Sequence, residues 1–88
     1  MNGEKKEVGK IGHYYSKINV AVVELTGGLK VGDEISIEGT VTNLRQKVES
    51  MQIEHENVKS AKKGQSIGLK VDDRVREGDT VFIIEPEA

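Results

Sequence analysis

The chain has no cysteine and no tryptophan, and a single proline and a single phenylalanine among 88 residues. Without cysteine there is no disulfide framework, no thiolate metal site and no thiol nucleophile, and the composition fits a reducing compartment, the cytosol by default. Aromatic residues make up only 3%, so the core has to be assembled from Val, Ile and Leu. Long apolar runs are missing too. "VAVV" and "VFII" are the longest, far short of the roughly 20 residues a membrane span needs. The opening "MNGEKKE" lacks the apolar segment of a secretory signal. Nor is there an excess of positive charge. Thirteen Lys+Arg against fifteen Asp+Glu leave a net charge of -2, without the basic field of a generic nucleic-acid binder but with room for a local patch.

What is present reads as one small β domain. Residues 1–7 are charged and without apolar period, and form an expected flexible tail before a domain spanning 8–86. "VGKIGHYY" and "KINVAVVEL" form a first hairpin, bounded by "TGG". Both alternating sets of the second run are apolar, Ile18-Val20-Val22 and Ala21-Val23-Leu25. Such a strand needs cover on both faces, from a closed barrel or from an interface.

"DEISIEG" alternates cleanly, and "TVTNLRQKVESMQIEHENV" changes parity: Leu44, Gln46 and Val48 share one face, Met51 and Ile53 the other. Both sets reach one core only if an extra residue intervenes, so a bend is predicted at Glu49-Ser50. Propensity and the spacing of Leu44, Val48 and Met51 also fit a helix, but a lone helix would have no sheet face to cover. "NVKSAKKG" reads as a loop with one helical turn, ended by Gly64 at positive φ. "QSIGLKV" and "TVFIIE" complete about six strands, the last stopped by Pro86.

The stretch "LKVGDEISIEG" returns as "VREGDTVFIIE", aligning Gly32 with Gly78 and Asp33 with Asp79. Glycine permits positive φ and a neighbouring Asp accepts main-chain hydrogen bonds, so the pair shapes the turn into a strand. As a metal or acid–base site the two aspartates lack a supporting His or Glu constellation. His13 and His55 have no ligand spacing to a partner, no serine sits in a nucleophile elbow, and "TGGL" lacks the lysine of a phosphate cradle. No cofactor, metal or nucleotide is expected.

These segments, "VGKIGHYYSKINVAVVEL", "LKVGDEISIEG", "VESMQI", "AKKGQSIGL" and "VREGDTVFII", resemble the second domain of translational GTPases such as elongation factor Tu and bacterial initiation factor two. They are also similar to the C-terminal barrel of collagenase-like peptidases and related RNA-modification proteins. The resemblance implies an all-β fold: a small closed six-stranded Greek-key-like barrel without its own catalysis. In the GTPases it packs on the nucleotide domain, touches ribosomal RNA and in some members holds the acceptor end of tRNA. The chain departs from that pattern in having no G-x-x-x-x-G-K-[ST] loop, and its "KVDDRVREG" connection is shorter and more acidic.

Two surfaces are candidates for RNA or partner binding. The first is the hairpin tip His13, Tyr14, Tyr15 and Lys17 beside Lys10, where rings and cations can engage bases and phosphates. Its structural alternative is a tyrosine ring capping the barrel end. The second is the basic group Arg45, Lys47, Lys62 and Lys63, the first two projecting together from one strand face. The expected function is a non-enzymatic binding module for RNA, the ribosome or a translation-related partner. The alternative is an accessory barrel docking on a separate peptidase-like or RNA-modifying enzyme. An exposed apolar patch on the second strand favours docking; a positive stripe joining the tyrosine tip to Arg45 and Lys47 favours RNA.

Overall fold

The computed structural model describes residues 5–85. Positions 1–4 of the expected tail and the expected stop at Pro86 lie outside the described residues. Ten strands follow in order: β1 (Lys5–Tyr15), β2 (Val20–Leu25), β3 (Leu29–Lys30), β4 (Glu34–Glu38), β5 (Asn43–Lys47), β6 (Met51–Ile53), β7 (Glu56–Val58), β8 (Ser60–Ala61), β9 (Ser66–Lys70) and β10 (Thr80–Ile84). No helix forms among the described residues, in "NLRQKVES" or in "NVKSAKKG". The expected helical turn in the latter is replaced by the end of β7, by β8 and by a tight turn. Strand β1 begins at Lys5, inside the expected tail, because Lys5, Lys6 and Glu7 pair with Ile84, Ile83 and Phe82 of β10.

Eight strands form one sheet in the order β5-β4-β10-β1-β2-β9-β6-β7, and β3 pairs with β8 beside it. Inward positions alternate as the sequence demands: Ala21, Val23 and Leu25 on β2, Ile35 and Ile37 on β4, Ile67 and Leu69 on β9, and Val81 on β10. On β1 the buried residues Val8 and Ile11 are out of parity. Register shifts between Glu7 and Gly9 and between Ile11 and His13 restore the facing.

The parity change in the middle of the chain is also realised. Strand β5 pairs with β4, while β6 pairs with β9 and β7, so the chain changes partner across Val48-Glu49-Ser50. Gln46, Val48 and Met51 are all buried.

No closed six-stranded barrel is found among the described residues. The sheet has two ends, β5 and β7, and the hydrogen-bond ladder stops at β5. A side chain bridges the seam there. The Gln46 amide donates to the Lys70 carbonyl (3.0 Å) and accepts from the Asp72 N–H (2.7 Å), tying β5 to the segment after β9. The partner switch after Val48 moves the chain off this edge before a backbone ladder can extend across it. The extra strands come from the same break and from the tight β6–β7 hairpin.

The repeated Gly-Asp turns are built alike. Gly32 and Gly78 have φ of 98° and 90°, values that a type II turn requires at its third residue. Asp33 Oδ2 accepts from Lys30 N–H (3.0 Å) and Asp79 Oδ2 from Arg76 N–H (2.8 Å). Each turn also clasps a distant residue through two backbone bonds. Gly32 donates to Val48 and Val48 donates to Asp33; Gly78 donates to Ile11 and Ile11 donates to Asp79. A third copy occurs at Lys62–Gln65. Gly64 has φ 92° and its N–H bonds Leu25, while Gln65 Oε1 accepts from Lys62 N–H at 2.8 Å.

Candidate functional site

The two tyrosines of the β1–β2 hairpin part company, because successive strand residues face opposite ways. Tyr14 is half-buried against the core, with its hydroxyl donating to Asn19 Oδ1 at 3.2 Å. Tyr15 points outward, 49% exposed, and its ring meets His13 edge-on at 4.4 Å between centroids. His13 Nδ1 lies 3.0 Å from Glu77 Oε2. Lys10 stands opposite Glu24 across the hairpin, and Lys17 is exposed on its loop.

Beside Tyr15 the outer face of β2 is apolar over its first half, before Glu24. Ile18 is 56% exposed and Val20 and Val22 are half-buried, while the other set of the strand, Ala21, Val23 and Leu25, fills the core. These outer residues form one wall of a groove of about 500 Å³. Gly68 of β9 lies in its floor, and Gln52 of β6 with the Glu54-His55 turn forms the far wall. Glu54 and His55 are the two central residues of the β6–β7 hairpin, with φ of 51° and 66°. Two positive φ angles define a type I′ turn, normally made with Asn and Gly. A glutamate and a histidine held there are strained.

A larger depression of about 700 Å³ opens beside β4 and β5, lined by Lys5, Glu38, Arg45 and the Gly39–Asn43 connection. It is polar and its charges are neutralised within the chain. Lys5 Nζ (2.8 Å) and Ser36 Oγ (2.7 Å) both donate to Glu38 Oε2 and hold its carboxyl below the usual carboxylate range. Arg45 Nε donates to Glu34 Oε2 at 2.6 Å.

Arg45 and Lys47 do share the exposed face of β5. Lys62 and Lys63 do not join them. They sit on the turn before β9, at the opposite end of that strand from Lys70, where Gln46 of β5 crosses the seam. Both Arg45 and His13 face carboxylates of the same chain. Gly32, Asp33, Gly64, Gly78 and Asp79 shape turns, as described above. Among the described residues no group of three His, Asp or Glu stands close enough to hold a metal.

Reading the sequence singled out Tyr15 and the apolar set that contains Ile18, considered His55 only as a metal ligand, and did not assign Gly68 to a site. The doubly apolar second strand signalled one wall. The hairpin that supplies the other was masked because "IEHE" contains no glycine or asparagine.

Solved structures with this architecture include the C-terminal domain of a Geobacillus thermoleovorans U32 peptidase, with a TM-score of 0.84 at 19% identity, covering 91% of this chain and 93% of that one. The chain shares that domain's fold. The selenomethionine variant of the same domain superposes with a TM-score of 0.82 at 20% identity, over 86% and 96% of the two chains. In sequence, the chain is 44% identical over 82 residues to an uncharacterized protease of Methanocaldococcus jannaschii, and 41% identical over 81 residues to a collagenase of Porphyromonas gingivalis. The matches cover 92% and 90% of this chain but 20% and 22% of those proteins, so the chain spans about a fifth of the relatives' length. No protein-family model matches it. Neither relative is a translation factor, so of the two resemblances the peptidase side is the one with support.

Proposed function

We propose that the chain is a non-catalytic accessory domain that packs the outer face of β2 against a peptidase-like protein. The carrying observation is the apolar wall of Ile18, Val20 and Val22 with Tyr15, left open beside a groove. Contiguous exposed apolar surface rimmed by polar residues is the mark of an interface. The choice of partner rests on the relatives: the four-fifths of their length that this chain does not match supplies a natural surface to cover the face. The lack of a nucleophile elbow and of a cysteine supports a non-catalytic role. Arg45 and His13, two groups expected to contact RNA, each face a carboxylate of the same chain, which favours the docking reading.

Ile18→Glu tests the proposal. The residue sits on the exposed loop side, so the fold tolerates the change, while a charge in the interface opposes desolvation. Titration calorimetry against the non-matching portion of a U32-type peptidase should show binding by the wild-type chain and at least about tenfold weaker binding by the variant, roughly 1.4 kcal/mol. Equal affinity of the two, or salt-sensitive binding of a short RNA at Tyr15 in place of protein binding, refutes it.

A further inference from the structure

We propose that the trough over Gly68 seats one large aliphatic side chain of the docked partner, with a Lys or Arg beside it on the partner pairing with Glu54. The inference rests on the docking face described above and names what that face selects.

Gly68 occupies the middle of β9, opposite Val22 on one side and Gln52 on the other. Glycine inside a strand weakens it and marks a place where another group approaches closely. The fold itself does not require glycine there. A methyl group at Gly68 would touch only Val20 Cγ1 at 3.4 Å and the Gln52 carbonyl at 3.9 Å. At Gly39, by contrast, it would run into the Asp79 carboxylate. The missing side chain is what opens the floor of the trough.

The walls define the ligand. Ile18, Val20 and Val22 present aliphatic surface on one side. On the other, the strained turn carries Glu54, the one lining residue with a formal charge at neutral pH. Lys70 Nζ donates to the Ile18 carbonyl at 3.0 Å, on the β2 side of the groove, and among the described residues it forms no ion pair with Glu54. An aliphatic anchor with an adjacent cation matches both walls.

The probes are blocked peptides, acetyl-Gly-Leu-Lys-Gly-amide with Leu-Glu and Ser-Lys counterparts, titrated into the nitrogen-15-labelled chain. The Leu-Lys peptide should shift the amides of Ile18, Val22, Glu54 and Gly68 with millimolar affinity. The Leu-Glu peptide should bind at least about threefold more weakly, the size of one rim ion pair, and the Ser-Lys peptide should give no shifts. Glu54→Gln should remove the Lys preference. Gly68→Val should remove binding while leaving the dispersed spectrum of a folded chain. Equal binding of Leu-Lys and Leu-Glu, undiminished binding to Gly68→Val, or shifts elsewhere on the surface overturns the proposal. The same variant separates the two readings. A peptidase portion that binds wild-type and Gly68→Val equally overturns the trough and keeps the docking face, whereas a portion that binds neither overturns the docking face and leaves the trough to the peptide result.

Discussion

Replacing Gln46 with Met should open the seam of the sheet. Methionine keeps the length and most of the volume of the side chain but can neither donate to the Lys70 carbonyl nor accept from the Asp72 N–H. Each of these bonds contributes about 1 kcal/mol net, and a buried group left without a partner costs about 1 kcal/mol more. Gln46 itself is only 8% exposed, but Lys70 and Asp72 lie at the surface, where water recovers part of the loss. The expected destabilisation is therefore about 1–3 kcal/mol, a large fraction of the roughly 5–10 kcal/mol available to a domain of this size. Urea denaturation measures it. Gln52→Met is the control, because the Gln52 amide meets Asn57 at the surface and its loss should stay within about 0.5 kcal/mol. Hydrogen exchange localises the effect: the Asp72 amide should lose protection before the β1–β2 amides do. Equal stability of the two variants, or an Asp72 amide as protected as in the wild type, would refute a seam held by this side chain.

Three further outcomes are expected. Asp79→Ala should destabilise more than Asp33→Ala, by about 1–2 kcal/mol, because Asp79 is buried while the Lys30–Asp33 contact is exposed; thermal melts of both variants check the order. Gly39→Ala should cost about 1–3 kcal/mol by overpacking against the Asp79 carboxylate, and pairing it with Asp79→Ala in a double-mutant cycle should reveal coupling. Because Lys5 and Ser36 lower the pKa of Glu38 in the folded chain, its contribution to stability is present above the ordinary carboxylate range and is lost as the pH falls through the folded value. Lys5→Gln should move the Glu38 carboxyl titration upward by carbon-13 NMR; an unchanged titration would show that the contact does not form in solution.

The strands were legible wherever burial follows a period of two. The bend after Val48 could be inferred because Gln46 and Met51 can reach one core only if the chain slips by a residue. Closure could not be inferred. Whether β5 meets the end of β9 through backbone or through an amide side chain depends on where the chain turns in three dimensions, and Gln46 looks like any polar strand residue. The third turn was hidden by chemistry: Gln65 does the work of an aspartate with one more methylene. Lys5 to Glu7 looked like tail because charged residues show no apolar period, yet their pairing with β10 is a backbone property. The groove was half legible. The excess of apolar residues on β2 announced one wall, but the floor and far wall come from β9, β6 and a turn whose residues disfavour the conformation they adopt.

The three turns at Gly32, Gly64 and Gly78 share one geometry but grip partners at very different distances along the chain: Val48, Leu25 and Ile11. The entropy of closing a loop rises only slowly with its length, while the search for a remote partner slows folding. The chain therefore carries the same latch over a short, an intermediate and a nearly full-length span. Weakening each latch in turn reads out the order in which the molecule assembles, because the backbone clasp is shared and the span differs.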